Sequence, residues 1–163
     1  MFDPLAVLHV LLLLGIANGT PILARKLLKD RLAAPLDAGI TLPDGQPLFG
    51  ASKTVRGLMV SIAATTLAAV MLGLDWSTGA LFAGASLAGD LMSSFTKRRL
   101  GLPVHARALG LDQIPEALLP TMLLRTTVGL SAADVAVTIT AFVILELVLS
   151  RLLFRLHIRD RPY

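Results

Sequence analysis

Apolar residues in this chain come in long unbroken runs rather than in alternation with polar ones, which excludes half-buried strands and points to buried or lipid-facing helices. A hydrocarbon layer about 30 Å thick takes roughly 20 residues of helix to cross. Five runs approach that length: Leu5 to Ala24, Leu58 to Leu74, Ser77 to Phe95, Ile114 to Leu130 and Ala132 to Phe154. The fourth is the weakest, because it is short and holds Pro120 and Arg125. The first lacks the basic start of a secretory leader and opens Met1-Phe2-Asp3-Pro4, so it reads as a retained helix. The expected fold is an all-α polytopic integral membrane protein with about five transmembrane helices, residues 1–163 forming a single transmembrane domain.

Composition agrees with this partition. Of 163 residues 55% are hydrophobic and 16% charged, with mean hydropathy +0.74. Ordinary soluble domains carry about 25% charged residues, and a disordered chain is far less apolar. The net charge of +4 would suit nucleic acid, but its placement argues for topology instead. Arg25, Lys26, Lys29, Arg31, Lys53 and Arg56 follow the first helix, Lys97, Arg98, Arg99 and Arg107 the third, and Arg151, Arg155, Arg159 and Arg161 the fifth. Fourteen of fifteen cations thus lie on one side, which predicts the N-terminus outside, the C-terminus inside and no nucleic-acid partner. The connection over residues 25–57, a long cytoplasmic loop, exceeds the usual 4–6 residues several-fold and is expected to be functional. With no cysteine, disulfides, thiol nucleophiles and Cys-ligated metals are excluded. His9, His105 and His157 show no metal-ligand spacing.

Charges inside spans cost about 2.5–3.5 kcal/mol each at mid-membrane, so Asp90, Arg125 and Glu146 call for reasons. Asp90, Ser94 and Lys97 share one helical face and make a polar stripe rising to the inner surface, above the small residues Gly84, Ala85, Ala88 and Gly89. Arg125 and Glu146 fall at matching depths, so an ion pair between them is expected, with Arg125 gripping a phosphate as the alternative. Helices two and four begin on the inner side, where free N–H groups and the helix dipole favour anions. Lys53-Thr54-Val55-Arg56-Gly57 precedes one, and Leu111-Asp112-Gln113-Ile114-Pro115-Glu116 the other. A phosphate-rich ligand would find cations at the first, and carboxylates for a bridging Mg²⁺ at the second and on Asp90. The blander readings are a headgroup anchor for Lys97-Arg98-Arg99, an N-cap for Asp112 and a plain turn for Asp44-Gly45.

Ala17-Asn18-Gly19-Thr20-Pro21, Pro35-Leu36-Asp37-Ala38-Gly39, Asp44-Gly45, Phe49-Gly50-Ala51-Ser52-Lys53-Thr54-Val55-Arg56-Gly57, Gly89-Asp90, Ser94 through Gly101 and Leu111 through Glu116 together resemble the CDP-archaeol synthase family. These are small membrane cytidylyltransferases, similar over a shorter stretch to CDP-diacylglycerol synthases. The resemblance runs in order from Asn18 to Glu116. It implies a Mg²⁺-dependent reaction of CTP with a lipid phosphate, giving a CDP-lipid and pyrophosphate at the cytoplasmic face of the cell membrane. The lipid would resemble archaetidic acid, 2,3-bis-O-geranylgeranyl-glycerol 1-phosphate, or a related phospholipid.

Carried onto this chain, the resemblance implies Asp90, Lys97, Lys53 and Asp112 as catalytic residues, with Asp90 and Asp112 holding Mg²⁺. Lys53, Arg56, Lys97 and Arg98 would bind the triphosphate and lipid phosphate. Asn18 and the 35–50 loop, with Asp37 and Asp44, would shape the cytidine or headgroup pocket. Thr54, Ser94, Gln113 and Glu116 complete the expected substrate-binding set. The chain departs from the distant diacylglycerol enzymes at Leu102-Pro103-Val104-His105-Ala106-Arg107, which lacks their acid, so Asp37 or Asp44 is the expected third metal ligand. The alternative function is a small transporter or channel subunit for an anionic solute, with Asp90 and Arg125 lining its path, although no inverted repeat is visible. A homo-oligomer is compatible with the sequence.

Overall fold

The computed structural model describes residues 2–104, 106 and 108–156. Arg107, Arg159, Arg161, His105 and His157 lie outside the described residues. Five helices follow in order: α1 (Pro4–Leu28), α2 (Val55–Met71), α3 (Trp76–Arg99), α4 (Gln113–Leu123) and α5 (Ala132–Arg155). Among the described residues the only extended pairings are isolated bridges, Pro35 with Thr54 and Thr41 with Pro47, so the all-helical expectation holds.

Local chemistry sets several of the boundaries. Asp3 caps α1 by accepting from the Leu5 and Ala6 N–H groups, with Pro4 suited to the first turn. Thr54 caps α2 through the Gly57 N–H, and Ser131 with Asp134 forms a reciprocal capping box on α5. The expected fourth span is divided. Helix α4 has 11 residues, about 16 Å at the helical rise, and the chain then turns from Leu124 to Leu130. There Leu130 N donates to Arg125 O and Gly129 adopts φ +73°, a left-handed conformation that suits glycine. Leu124 and Leu130, at the two ends of this irregular stretch, are buried in the core, while Thr126, Thr127 and Gly129 between them are exposed. Among the described residues, α1 and α5 are the two helices with both the length and the apolarity to cross a bilayer.

Helix α3 packs against α2 on one flank and α4 on the other, while α1 contacts α2, α3 and α5, and α5 returns to α4. Two glycines set these crossings. A Cβ on Gly79 would stand 2.6 Å from Ala69 Cβ, and one on Gly89 would stand 2.6 Å from the Glu116 backbone nitrogen. Of the small residues anticipated on α3, Gly89 is the one at such a crossing, whereas a Cβ at Gly84 would meet nothing within 4 Å. Helix α1 meets α2 through a repaired defect. Pro21 has no N–H to offer the carbonyl four residues before it, Ala17 O, and the Ser61 hydroxyl of α2 takes that carbonyl at 2.7 Å. The buried core joins Val10, Leu13, Leu14, Phe82, Leu124, Val135 and Phe142, while Leu8, Met59, Leu67, Leu81, Ile144 and Val148 face outward. Such an apolar exterior around a core holding Ser61, Ser86 and Ser93 is what lipid surroundings select.

Candidate active site

The long connection between α1 and α2 is a tied loop. Asp37, 4% exposed, accepts from the backbone N–H groups of Gly39, Phe49 and Gly50 at 3.1, 2.9 and 2.8 Å. Burial alone would raise its pKa; the donors from Gly50, Phe49 and Gly39 outweigh that and hold it below the ordinary value. Leu36 N donates to Lys53 O and Val55 N to Ala34 O, so the loop's two strands run side by side into α2. Its tip is held by α3: Arg99 Nη1 meets Asp44 Oδ2 at 2.6 Å, and Nη2 donates to the Gln46 and Pro47 carbonyls. Phe95, one turn before Arg99, supports the guanidinium from 5.2 Å.

This construction delivers Lys53 to α3. Its ammonium lies 2.6 and 2.5 Å from the two oxygens of Asp90. Two turns further along the same face, Lys97 lies 2.5 Å from Asp112 Oδ1 and donates to Ala106 O at 3.1 Å. The other Asp112 oxygen accepts from Ala108 N, and Gln113 Oε1 accepts from Gly110 N, which folds residues 108–113 into the start of α4. Ser93 Oγ lies between the Gly89 and Leu111 carbonyls at 2.9 and 2.5 Å and pins that start to α3. Glu116 is buried within coulombic reach of Asp90, Lys53, Glu146 and Asp112. Two lysine–carboxylate pairs and a third, buried carboxylate thus gather where the beginnings of α2 and α4 meet the end of α3.

Of the residues expected from sequence, Lys53, Asp90, Lys97, Asp112 and Glu116 are brought together. Ser94 is buried on the same helix. Thr54 and Gln113 serve as a helix cap and a turn brace. Arg56, 6% exposed, gives Nη1 to the Lys29 and Arg31 carbonyls, and Arg98, 2% exposed, gives Nη2 to Pro103 O. Both arginines thus brace the loops at this end of the bundle. The Asn18 amide donates to Leu14 O and to Ser86 Oγ, which lies one helical turn before Asp90 on α3.

Asp37 accepts from backbone amides and Asp44 pairs with Arg99, while Glu116 is a further acid near Asp90 and Asp112. One expectation is corrected. Arg125 lies beyond the end of α4, its Nε donating to Leu130 O near the start of α5, whereas Glu146 stands some 20 Å further along that helix. The expected Arg125–Glu146 pair is not formed, because α4 ends too early to bring the arginine down to that depth. Ser93 and Arg99 had no sequence signal of their own: one is a serine among small residues, the other part of a basic run that reads as a membrane anchor.

The donor set suits a hard divalent cation. Asp90 and Asp112 are the partly accessible carboxylates, with side chains 27% and 23% exposed. Among the described residues no three acids or histidines form a closed cage. Mg²⁺ is commonly held that way, by one or two carboxylates with water and substrate phosphates completing the octahedron.

Comparison with known proteins bears on this site. The sequence profile of the CarS-like CDP-archaeol synthase family matches residues 74–163. A CDP-archaeol synthase of Aeropyrum pernix is 39% identical over 105 residues, covering 61% of this chain and 57% of that protein. Another, of Sulfurisphaera tokodaii, is 32% identical over 136 residues, covering 79% of this chain and 81% of that one. The match to the Aeropyrum protein, like that to a Pyrobaculum calidifontis relative at 61%, spans about three-fifths of the relative's length. A solved structure, described as an intramembrane enzyme for archaeal membrane lipids biosynthesis, superposes with a TM-score of 0.69 at 32% identity. It covers 86% of this chain and 89% of its own.

Proposed function

The chain belongs to the CDP-archaeol synthase family, and we propose from that premise that it is a CTP-dependent cytidylyltransferase acting in the membrane on a lipid phosphate. The observation that carries the proposal is the pairing of Lys53 with Asp90 and of Lys97 with Asp112 at the meeting point of α2, α3 and α4. Family membership supports this reading over a transporter.

The chemistry asks for that inventory. A lipid phosphomonoester is already an anionic nucleophile near neutral pH, so no serine, cysteine or histidine base is required. One of its oxygens attacks the α-phosphorus of CTP, the bond from that phosphorus to the bridging oxygen breaks, and the electron pair leaves with pyrophosphate. The product is a CDP-lipid. The barrier comes from bringing two anions together and from charge growing on the leaving group, both of which are met by fixed cations. Lys53 and Lys97 neutralise the phosphates and orient them. Asp90 and Asp112 would hold Mg²⁺, which when bound supplies Lewis-acid stabilisation of the phosphoryl oxygens. Glu116 is buried beside Asp90, Lys53 and Asp112 and closes the inner side of the cluster. Asn18 and Ser86 sit on the membrane side, where the lipid's glycerol would enter, and the tied loop over residues 35–50 sits on the nucleotide side.

In this reading the site faces the cytoplasm and the N-terminus lies outside. The lipid is of the archaetidic acid type. Purified protein supplied with Mg²⁺ and CTP should release pyrophosphate only when a lipid phosphate is added, and faster with archaetidic than with phosphatidic acid. Absence of lipid-dependent release would refute the activity, and equal rates would refute the lipid assignment.

A further inference from the structure

Both accessible carboxylates at this mouth carry a positive charge supplied by the chain itself. Lys53 spans the two oxygens of Asp90, and Lys97 sits on one oxygen of Asp112. Neither lysine is a loose surface arm. The Lys53 backbone is fixed on both sides, its carbonyl accepting from Leu36 N at 2.7 Å and its own N–H donating to Gly50 O at 3.1 Å. The Lys97 ammonium is held in addition by Ala106 O. All four side chains are 13–27% exposed, so the pairs interact through a lower effective dielectric than surface pairs do.

A bare divalent ion approaching such a site meets two neutral pairs. To bind a carboxylate it must displace a lysine and leave that ammonium facing the ion with no anion of its own. An ion that arrives on a triphosphate removes the difficulty, because each displaced lysine exchanges its carboxylate for a phosphate oxygen at charge-assisted hydrogen-bond distance. We infer that Lys53 and Lys97 act as internal place-holders that make the site take its divalent cation together with the nucleotide, and refuse the cation alone. The inference rests on the cytidylyltransferase reading and adds to it the order of loading. The coupling is reciprocal: whatever the nucleotide does for the cation, the cation does for the nucleotide.

The test is cation binding, with no lipid phosphate present and therefore no turnover. Mn²⁺ is titrated alone into the full-length protein in detergent and free Mn²⁺ is read by electron paramagnetic resonance. Wild type should bind Mn²⁺ weakly. Lys53→Gln, which removes the competing charge and leaves Asp90 free, should bind it about tenfold more tightly, whereas Lys53→Arg should stay weak. Lys97→Gln is read the same way, so the test survives if one variant does not fold, as judged by its melting temperature. Mn²⁺ binding to wild type as tight as to both glutamine variants would overturn the inference and leave the activity intact. Failure of radiolabelled CTP to bind wild type even with Mn²⁺ present would overturn the underlying reading as well.

Discussion

Replacing Gly89 by alanine separates packing from chemistry in this protein. A Cβ at Gly89 would lie 2.6 Å from the Glu116 nitrogen and closer still to the Pro115 carbonyl. Ordinary carbon contacts sit at about 3.5 Å, so α3 and the first turn of α4 must part by roughly 1 Å. The obstruction is backbone and cannot rotate aside, which places the cost in the range of overpacked cores, about 1–3 kcal/mol. The displaced turn carries Glu116 and follows directly on Asp112, so a shift of that size at the reacting groups should cost about 100-fold in kcat/KM. Gly84 on the same helix is the control, because a Cβ there meets nothing within 4 Å. Gly84→Ala should keep wild-type activity and stability. The assays are CDP-lipid formation from labelled CTP and thermal unfolding in one detergent. Wild-type behaviour of Gly89→Ala in both would refute the claim that this contact sets the position of α4.

Asp90→Asn should abolish turnover, with a melting temperature within a few degrees of wild type; retained turnover would remove Asp90 from the metal and phosphate machinery. Asp37 has a depressed folded pKa, so its contribution to the loop is complete above the ordinary carboxylate value near 3.8 and disappears as pH falls through the lower folded value. Amide exchange at Phe49 and Gly50, corrected for intrinsic rate, should therefore show unchanged protection from pH 7 to 5 and loss only below about pH 4. Asp37→Ala should lose that protection at neutral pH. Ser61→Ala leaves the Ala17 carbonyl without its partner and should destabilise the protein by about 1–3 kcal/mol, measured by denaturation, with little change in KM for CTP.

Hydrophobic run length and end chemistry are local properties, and they account for what the amino-acid order made legible. The five helices, the inside-out partition of apolar residues and the stripe from Asp90 to Lys97 all follow from spacing along one segment. The small residues of α3 likewise announced a close crossing, though Gly89 could be singled out only once Pro115 was seen against it. Spacing could not show the contacts that other charges make: Arg56 holds the Lys29 and Arg31 carbonyls, Arg98 the Pro103 carbonyl, Asp37 the Gly50 amide and Asp44 the Arg99 guanidinium. Arg125 failed to reach Glu146 because α4 stops at Leu123, a length set by how the following turn packs its leucines into the core.

By itself, then, the sequence determined that this is a helical membrane protein with acids and bases concentrated at one end, because transfer of apolar and charged groups between lipid and water depends on residue type and periodicity. Only the tertiary structure decided which lysine answers which carboxylate. A charge has no intrinsic partner, and the loop tied by Asp37 and Arg99 is what brings Lys53 to Asp90 across 37 residues of chain.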